Sequence, residues 1–257
     1  MTTETFDFYS PRGYRLSGRL EIPDSVPRAW AIFAHCFTCG KGNLAAARIG
    51  RSLAAAGIGV LRFDFAGLGA SQGVFADGSF TADVKDLNAG AEALSATGRP
   101  PILLVGHSLG GTAVLAAASA IASVRTIATI AAPFDPAHVL QHFAPKSLED
   151  LNVSGEAMLE LAGQNFRVRK SFMDDLRSHD TATDLAKLRR PLLVLHGPDD
   201  NVVEIENAHR IFEAAQHPKS FVALDHIDHL LSKPEDVEYA VSVIAAWSSR
   251  YLNDTEN

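Results

Sequence analysis

The chain has 257 residues, 47% of them hydrophobic and 21% charged, with a formal net charge of −7. That is ordinary globular composition, at a length that suits one large α/β domain burying roughly 70–75% of its unfolded surface. The negative balance, with no Lys/Arg run to override it, argues against nucleic acid or an anionic membrane as partner. The longest nearly apolar stretch, 112–124, is too short to span a bilayer. The first residues have neither a basic start nor an apolar core, so no secretion signal is expected. With Cys36 and Cys39 as the only cysteines there is no disulfide framework, and the chain reads as cytoplasmic.

Two early strands are predicted at 6–9 and 14–22, across a turn at Pro11-Arg12-Gly13. From Pro27 onward, short apolar runs alternate with helical stretches. The strand candidates are 30–35, 60–63, 102–105, 126–131, 192–195 and 221–224. Helices are predicted near 43–56, 80–96, 109–122, 204–215 and 235–251. Strands that are apolar throughout and spaced by helices imply an α/β fold, a mostly parallel central sheet with helices on both faces. The interval 134–190 breaks this rhythm, being far too long for one crossover helix. It suggests a short helix at 136–143, a hairpin of 158–161 and 166–169 around Ala162-Gly163-Gln164, and a helix at 172–179. An insertion there lies over the carboxyl ends of the strands, where ligands bind in such sheets. It is therefore expected to be a lid, on a core formed by 1–133 and 191–257.

The strand at 102–105 runs directly into Gly106-His107-Ser108-Leu109-Gly110 and an Ala-rich helix. Gly-x-Ser-x-Gly between a buried strand and a helix is the pattern of a nucleophile elbow. The sharp turn forces Ser108 into a crowded backbone conformation, and Gly106 and Gly110 remove side chains that would collide across it. A serine nucleophile needs a base, and the base an orienting acid. Asp199 and Asp200 follow the strand at 192–195, and Asp225-His226-Ile227-Asp228-His229 follows the strand at 221–224. Both segments are placed to meet Ser108 at one edge of the sheet.

With these residues the chain resembles the α/β-hydrolases over nearly its whole length. His35-Cys36-Phe37 stands where the family has His-Gly-x. Asp64-Phe65-Ala66-Gly67-Leu68-Gly69-Ala70-Ser71 is close to the family's Asp-x-x-Gly-x-Gly-x-Ser loop. The resemblance implies Asp200 rather than Asp199 as acid and His229 rather than His226 as base. It also implies an oxyanion hole from the backbone amides of Leu109 and Phe37. His229 would take the Ser108 proton during attack on an ester carbonyl and return it to the leaving alcohol, with Asp200 fixing the imidazole. The expected partner is a small-molecule ester with short or medium acyl or aryl groups. No metal or cofactor is expected. Thioesters, lactones and perhydrolysis use the same machinery. Haloalkane dehalogenases and epoxide hydrolases are disfavoured, because their elbow nucleophile is Asp. His-Cys-Phe-Thr-Cys at 35–39, Pro-Phe-Asp-Pro-Ala-His-Val at 133–139 and His217-Pro218-Lys219-Ser220-Phe221 resemble a narrower subgroup. There a hydrolase domain precedes an OsmC-like domain in a longer polypeptide.

Other residues have plainer readings. Cys36 and Cys39 have the spacing of a redox pair, but nothing else suggests a thioredoxin-like unit, so they read as two reduced, partly buried cysteines. His107 is expected to pack or to hydrogen-bond behind the site, His196 to close a strand and His35 to brace the oxyanion loop. His138, His142, His179, His209 and His217 read as surface or lid residues, and Asp64 and Ser71 as organisers of their loop. Phe134, Phe143, Met158, Leu159, Phe166, Phe172 and Met173 either line an acyl pocket or form the lid's own core. Two alternatives to the esterase stand beside it. One is a non-catalytic small-molecule receptor on the same fold, the other a redox accessory domain using Cys36 and Cys39.

Overall fold

The computed structural model of the protein describes residues 1–35, 41–161 and 164–252. Its strands are β1 (Thr2–Thr5), β2 (Phe8–Tyr9), β3 (Arg15–Leu16), β4 (Gly18–Ile22), β5 (Ala29–Ala34), β6 (Ile58–Phe63), β7 (Pro101–His107), β8 (Thr126–Ile130), β9 (Glu156–Leu161), β10 (Gln164–Arg169), β11 (Leu192–His196) and β12 (Lys219–Ala223). The helices are α1 (Leu44–Ala55), α2 (Phe80–Ala96), α3 (Leu109–Ala117), α4 (Pro145–Ser154), α5 (Lys170–Ser178), α6 (Thr181–Lys187), α7 (Glu206–Ala214) and α8 (Pro234–Leu252). Eight strands form one sheet in the order β1-β4-β6-β5-β7-β8-β11-β12. The β1–β4 and β4–β6 pairs are antiparallel, and every pair from β6 to β12 is parallel.

Alternation along the parallel strands divides the core between the two faces of the sheet. On β7, Leu104 joins Leu87, Leu94 and Val114, packing beneath α2 and α3. Its neighbours Leu103 and Val105 point the other way, to Ile49, Leu53, Val241 and Ile244 of α1 and α8. Because both faces are covered, these strands carry no polar stripe, which is why they read as continuous apolar runs. Asn43 caps α1 by accepting from the Ala45 amide at 2.9 Å, and Ser79 caps α2 by accepting from the Ala82 amide at 3.0 Å.

The insertion between β8 and β11 holds a 3-10 helix (Pro136–His142), α4, the antiparallel β9–β10 hairpin, α5 and α6. The 3-10 helix, the hairpin and α5 match the predicted pieces closely. Two helices there escape the hydrophobic pattern. In α4 only Leu151 is buried, so no apolar period shows, although Pro145 at its start and left-handed Gly155 (φ 77°) after its end delimit it. In α6, the Asp180 carboxylate accepts from the Thr183 amide at 3.1 Å and supplies the cap.

The amino-terminal region also differs from its prediction. β1 is exposed at all four residues, so its side chains carry no burial signal, and it is held by its ladder with β4 and by bonds from Thr3 to Glu21 and from Arg19 to Thr5. The predicted strand at 14–22 is broken at Ser17, whose amide donates to the Ser71 hydroxyl at 2.8 Å instead of joining a ladder. α3 stops at Ala117, five residues short of expectation, as the chain tightens into a turn with Ala120 bonding back to Ala117.

Beside α1, the sheet buries an ion pair. Arg62 on β6 donates to Glu21 on β4 through Nη2 at 2.6 Å and Nε at 3.0 Å, with Glu21 fully buried. Glu21→Leu alone leaves the guanidinium without its carboxylate and is expected to cost about 3–5 kcal/mol in urea unfolding. Glu21→Leu combined with Arg62→Met removes both charges and should cost far less. Equal losses in the single and double variants would refute this account.

Candidate active site

The elbow is built by close backbone approach. A Cβ on Gly106 would lie 2.3 Å from the Gly110 carbonyl oxygen, and one on Gly110 would lie 2.4 Å from the carbonyl oxygens of both Ala34 and His35. With no side chains at these points, β7 turns into α3 directly against the end of β5. The turn holds Ser108 at φ 54°, ψ −131°, a strained conformation for a residue with a side chain. Its amide donates to the Ile130 carbonyl at 2.9 Å, which ties the elbow to the end of β8. The Ser108 side chain stays partly exposed.

Ser108, His229 and Asp200 come together. Ser108 Oγ and His229 Nε2 are 3.0 Å apart, and His229 Nδ1 lies 2.8 Å from Asp200 Oδ2. His229 and Asp200 are buried, at 7% exposure each. The other carboxylate oxygen of Asp200 accepts from the amides of Val202 at 2.9 Å and Val203 at 3.0 Å. Burial works against ionisation of Asp200, but hydrogen bonds from His196, His229 and the Val203 amide outweigh it. They hold the carboxyl well below the usual carboxylate range. An ionised acid fixes the proton on His229 Nδ1, leaving Nε2 free to accept from the serine hydroxyl. This arrangement can deprotonate Ser108 for attack on a carbonyl carbon.

The alternative pair points outward. His226 and Asp199 lie 3.5 Å apart with side chains 92% and 67% exposed, away from the serine. Gly197 explains how the acid and base loops meet, since a Cβ there would sit 2.6 Å from the Ile227 carbonyl oxygen. Leu109 is the first residue of α3, so its amide has no acceptor inside the helix and is open to an oxyanion. Phe37, the second expected oxyanion donor, and Cys36 and Cys39 lie outside the described residues. Among the described residues, no group of three or more His, Cys, Asp or Glu side chains is placed to hold a metal ion. No helix of the described residues is long and apolar enough to cross a membrane.

Three further histidines serve the site. His107, buried behind the elbow, donates from Nε2 to the His229 carbonyl at 2.6 Å and so positions the base through its backbone. Burial, and after it the neighbouring His229, lowers the His107 pKa to about 4, so the ring stays neutral. His196, fully buried, donates to the Val203 carbonyl at 2.7 Å with Asp200 Oδ2 3.5 Å away. His138, read as a surface or lid residue, lies in the insertion and not on the surface. It is buried at 9% exposure, and its Nε2 donates to the Val202 carbonyl at 3.2 Å, joining the insertion to the acid loop. The sequence signal was its spacing behind Pro136, a residue that starts a helical turn. Asp64 organises its loop as expected, accepting from the Lys41 amide at 2.5 Å and the Ala70 amide at 2.8 Å.

A family model described as the alpha/beta hydrolase family matches residues 31–240. The chain belongs to that family. It is 46% identical to the esterase domain of a Rhodothermus marinus protein, covering 98% of this chain and 100% of that one with a TM-score of 0.80. Mouse mitochondrial palmitoyl-protein thioesterase ABHD10 (Mus musculus) is 25% identical over 222 residues, which are 83% of this chain and 73% of the relative. Est1E from Butyrivibrio proteoclasticus, solved with ferulic acid, shares the fold at a TM-score of 0.82 and 18% identity, covering 96% of this chain and 99% of its own.

Unfolding returns His107 to an ordinary pKa near 6.5. Between that value and about 4 the unfolded chain therefore binds a proton that the folded chain does not. Stability is expected to fall as pH drops through this window, by about 3 kcal/mol from this one residue. Asp200, held low in the fold, adds a further loss as pH falls below about 4. Urea unfolding of His107→Gln should show a flatter pH dependence between 6.5 and 4. An unchanged slope would remove His107 as its source.

Proposed function

We propose that this chain is a serine hydrolase of carboxylic esters, with Ser108 as nucleophile, His229 as general base and acid, and Asp200 as the orienting carboxylate. The observation that carries this reading is the unbroken relay from Ser108 Oγ through both His229 nitrogens to Asp200, at 3.0 Å and 2.8 Å. Likeness to a Rhodothermus marinus esterase domain at 46% identity supports it.

In the mechanism, Ser108 Oγ attacks the ester carbonyl as its proton passes to His229 Nε2. The Leu109 amide, joined by that of Phe37, stabilises the oxyanion of the tetrahedral intermediate, each such donor being worth about 2.7–4 kcal/mol. The intermediate collapses as His229 gives its proton to the leaving alcohol, and an acyl-serine remains. Water then repeats the sequence, with His229 again as base, and frees the acid and Ser108. Neutral His107 matters to these steps, since a second imidazolium with its ring centroid 5.2 Å from that of His229 would oppose protonation of the base. The insertion at 134–190 acts as the lid over the reacting bond, on a core of residues 1–133 and 191–257.

A thioester reading is favoured by the likeness to a mouse palmitoyl-protein thioesterase. The same relay serves a thioester, whose leaving thiolate is the better leaving group.

A p-nitrophenyl ester series of two to twelve carbons, run with the wild type and variants, tests the proposal. Ser108→Ala is expected to lower kcat/KM by about 10⁴-fold or more, and His229→Ala by a similar factor. Asp199→Asn and His226→Ala, which alter the outward pair, should stay within about threefold of the wild type. Turnover that survives Ser108→Ala, or no turnover of any ester or thioester, would overturn the assignment.

A further inference from the structure

Residues 197–205, which carry the acid between β11 and α7, form neither strand nor helix, so their position depends on individual hydrogen bonds. One peptide unit in this loop is held from both sides. Its N–H, that of Val203, donates to Asp200 Oδ1 at 3.0 Å, and its C=O, that of Val202, accepts from His138 Nε2 at 3.2 Å. A peptide is planar and stiff about its central bond, so the two groups turn together. Holding the carbonyl therefore aims the amide at the carboxylate. A hydrogen bond on the carbonyl also polarises the unit and strengthens the bond its N–H donates. The next carbonyl along, that of Val203, is held by His196 at 2.7 Å, a residue of the sheet itself. His138 belongs instead to the insertion.

His138 is itself firmly placed. It is carried on the 3-10 helix, whose next residues, Val139 and Leu140, are buried in one apolar cluster with Phe134 and Phe143. Its ring meets that of His142 edge to face with centroids 5.6 Å apart, and the Glu204 carboxylate lies 3.9 Å from Nε2. A second bridge closes the same seam. The Phe134 amide donates to Asn207 Oδ1 at 3.0 Å, and Asn207 Nδ2 donates to the Glu204 carbonyl at 3.0 Å. The root of the insertion thus grips the acid loop at Val202 and, through Asn207, at Glu204. Packing alone would be met by an apolar ring, which brings no polar nitrogen into the interior.

We propose that His138 is a positioning residue through which the root of the insertion sets the catalytic acid, its bond to the Val202 carbonyl orienting the Val203 amide onto Asp200 and so Asp200 onto His229. The proposal rests on the serine-hydrolase reading for its reaction. Without the bond the Val202–Val203 peptide is free to turn, and Asp200 Oδ1 keeps only the Val202 amide of its two donors. The carboxylate is then less firmly held at 2.8 Å from His229 Nδ1. That contact matters most when His229 takes up the serine proton, so the loss falls on kcat rather than on KM. The insertion is in this way part of the frame of the relay.

The test compares the wild type with His138→Phe, His138→Gln and Asp135→Asn. Phe keeps a ring of similar size and removes the donor, whereas Gln keeps an N–H donor at a similar reach. On p-nitrophenyl acetate, His138→Phe should lower kcat by roughly 10- to 100-fold, the effect of a displaced catalytic group, with KM within about twofold. His138→Gln should restore most of the lost kcat. In proton NMR, the downfield signal of the Nδ1 proton shared by His229 and Asp200 should weaken or shift in His138→Phe and return in His138→Gln. Asp135→Asn breaks the insertion's ion pair with Arg210 but leaves His138 in place, so kcat and the signal should both be kept. The NMR arm needs no turnover, which separates a wrong reaction from a wrong positioning role. If His138→Phe does not fold, His138→Ala against His138→Gln makes the same comparison. Equal losses in the donor-lacking variant and His138→Gln, a raised KM with kcat unchanged, an unaltered signal, or the same loss in Asp135→Asn would overturn the proposal.

Discussion

The constraint on which the rest of this structure depends is the contact between backbones where β7 becomes α3. Three glycines in six residues let strands and helix approach at distances that no side chain permits. Beyond the clashes at Gly106 and Gly110, a Cβ on Gly111 would lie 2.5 Å from Ala132 Cβ. The ends of β5, β7 and β8 are thereby gathered around the first turn of α3. The strained φ of Ser108, a cost of order 1–3 kcal/mol, persists because the buried strand before it and the helix after it leave no alternative path. One packing event thus exposes the hydroxyl, orients the Leu109 amide and fixes the position of the residue preceding the oxyanion loop.

The base is positioned by a different means. His229 comes from a loop, and loops are held by polar contacts rather than by core. Its carbonyl is bound by His107 and its ring by Asp200, which in turn is held by the amides of Val202 and Val203. The carbonyls of those two valines are taken by His138 and His196. Three histidines therefore act around a fourth, and the one nearest its ring, His107, is kept neutral by burial. That division suits general-base work, in which the positive charge should develop on His229 and nowhere near it.

The parallel sheet was legible because strands buried on both faces have only one kind of sequence, and helices with one apolar face have another. The relay residues were legible for a different reason, that an elbow needs glycine at fixed offsets and its partners follow strand ends. What could not be read was held by pairing or caps. β1 is a polar edge strand with no buried residue, α4 buries a single leucine, and α6 is a short helix whose start is capped by Asp180. The choice between Asp199 and Asp200, or between His226 and His229, was equally invisible to composition. Adjacent acids on a turn point in opposite directions, and only the fold shows which one faces inward. Resemblance to a family supplied that choice in advance.

Apart from the bond between His138 and Val202, the insertion meets the core at points separate from the relay. It is fixed to the core by polar contacts at several points. The Phe134 amide donates to Asn207 at 3.0 Å, Arg210 pairs with Asp135 at 3.0 Å, Arg169 pairs with Asp77, and Asp175 accepts from Thr81. Between these anchors its aromatic residues meet those of the core, Phe166 on Phe75 at 4.7 Å between ring centroids and Phe172 on Phe75 at 6.2 Å. The relay draws on loops after β7, β11 and β12, whereas the cavity wall draws on His35 after β5, the loop after β6, α2 and the insertion. The two sets share only the first residues of α3. A change at Phe172 therefore leaves untouched the elements that carry Ser108, His229 and Asp200. The packing thus keeps two parts distinct, a rigid sheet edge that carries the relay and an aromatic wall beside it that the insertion helps to build.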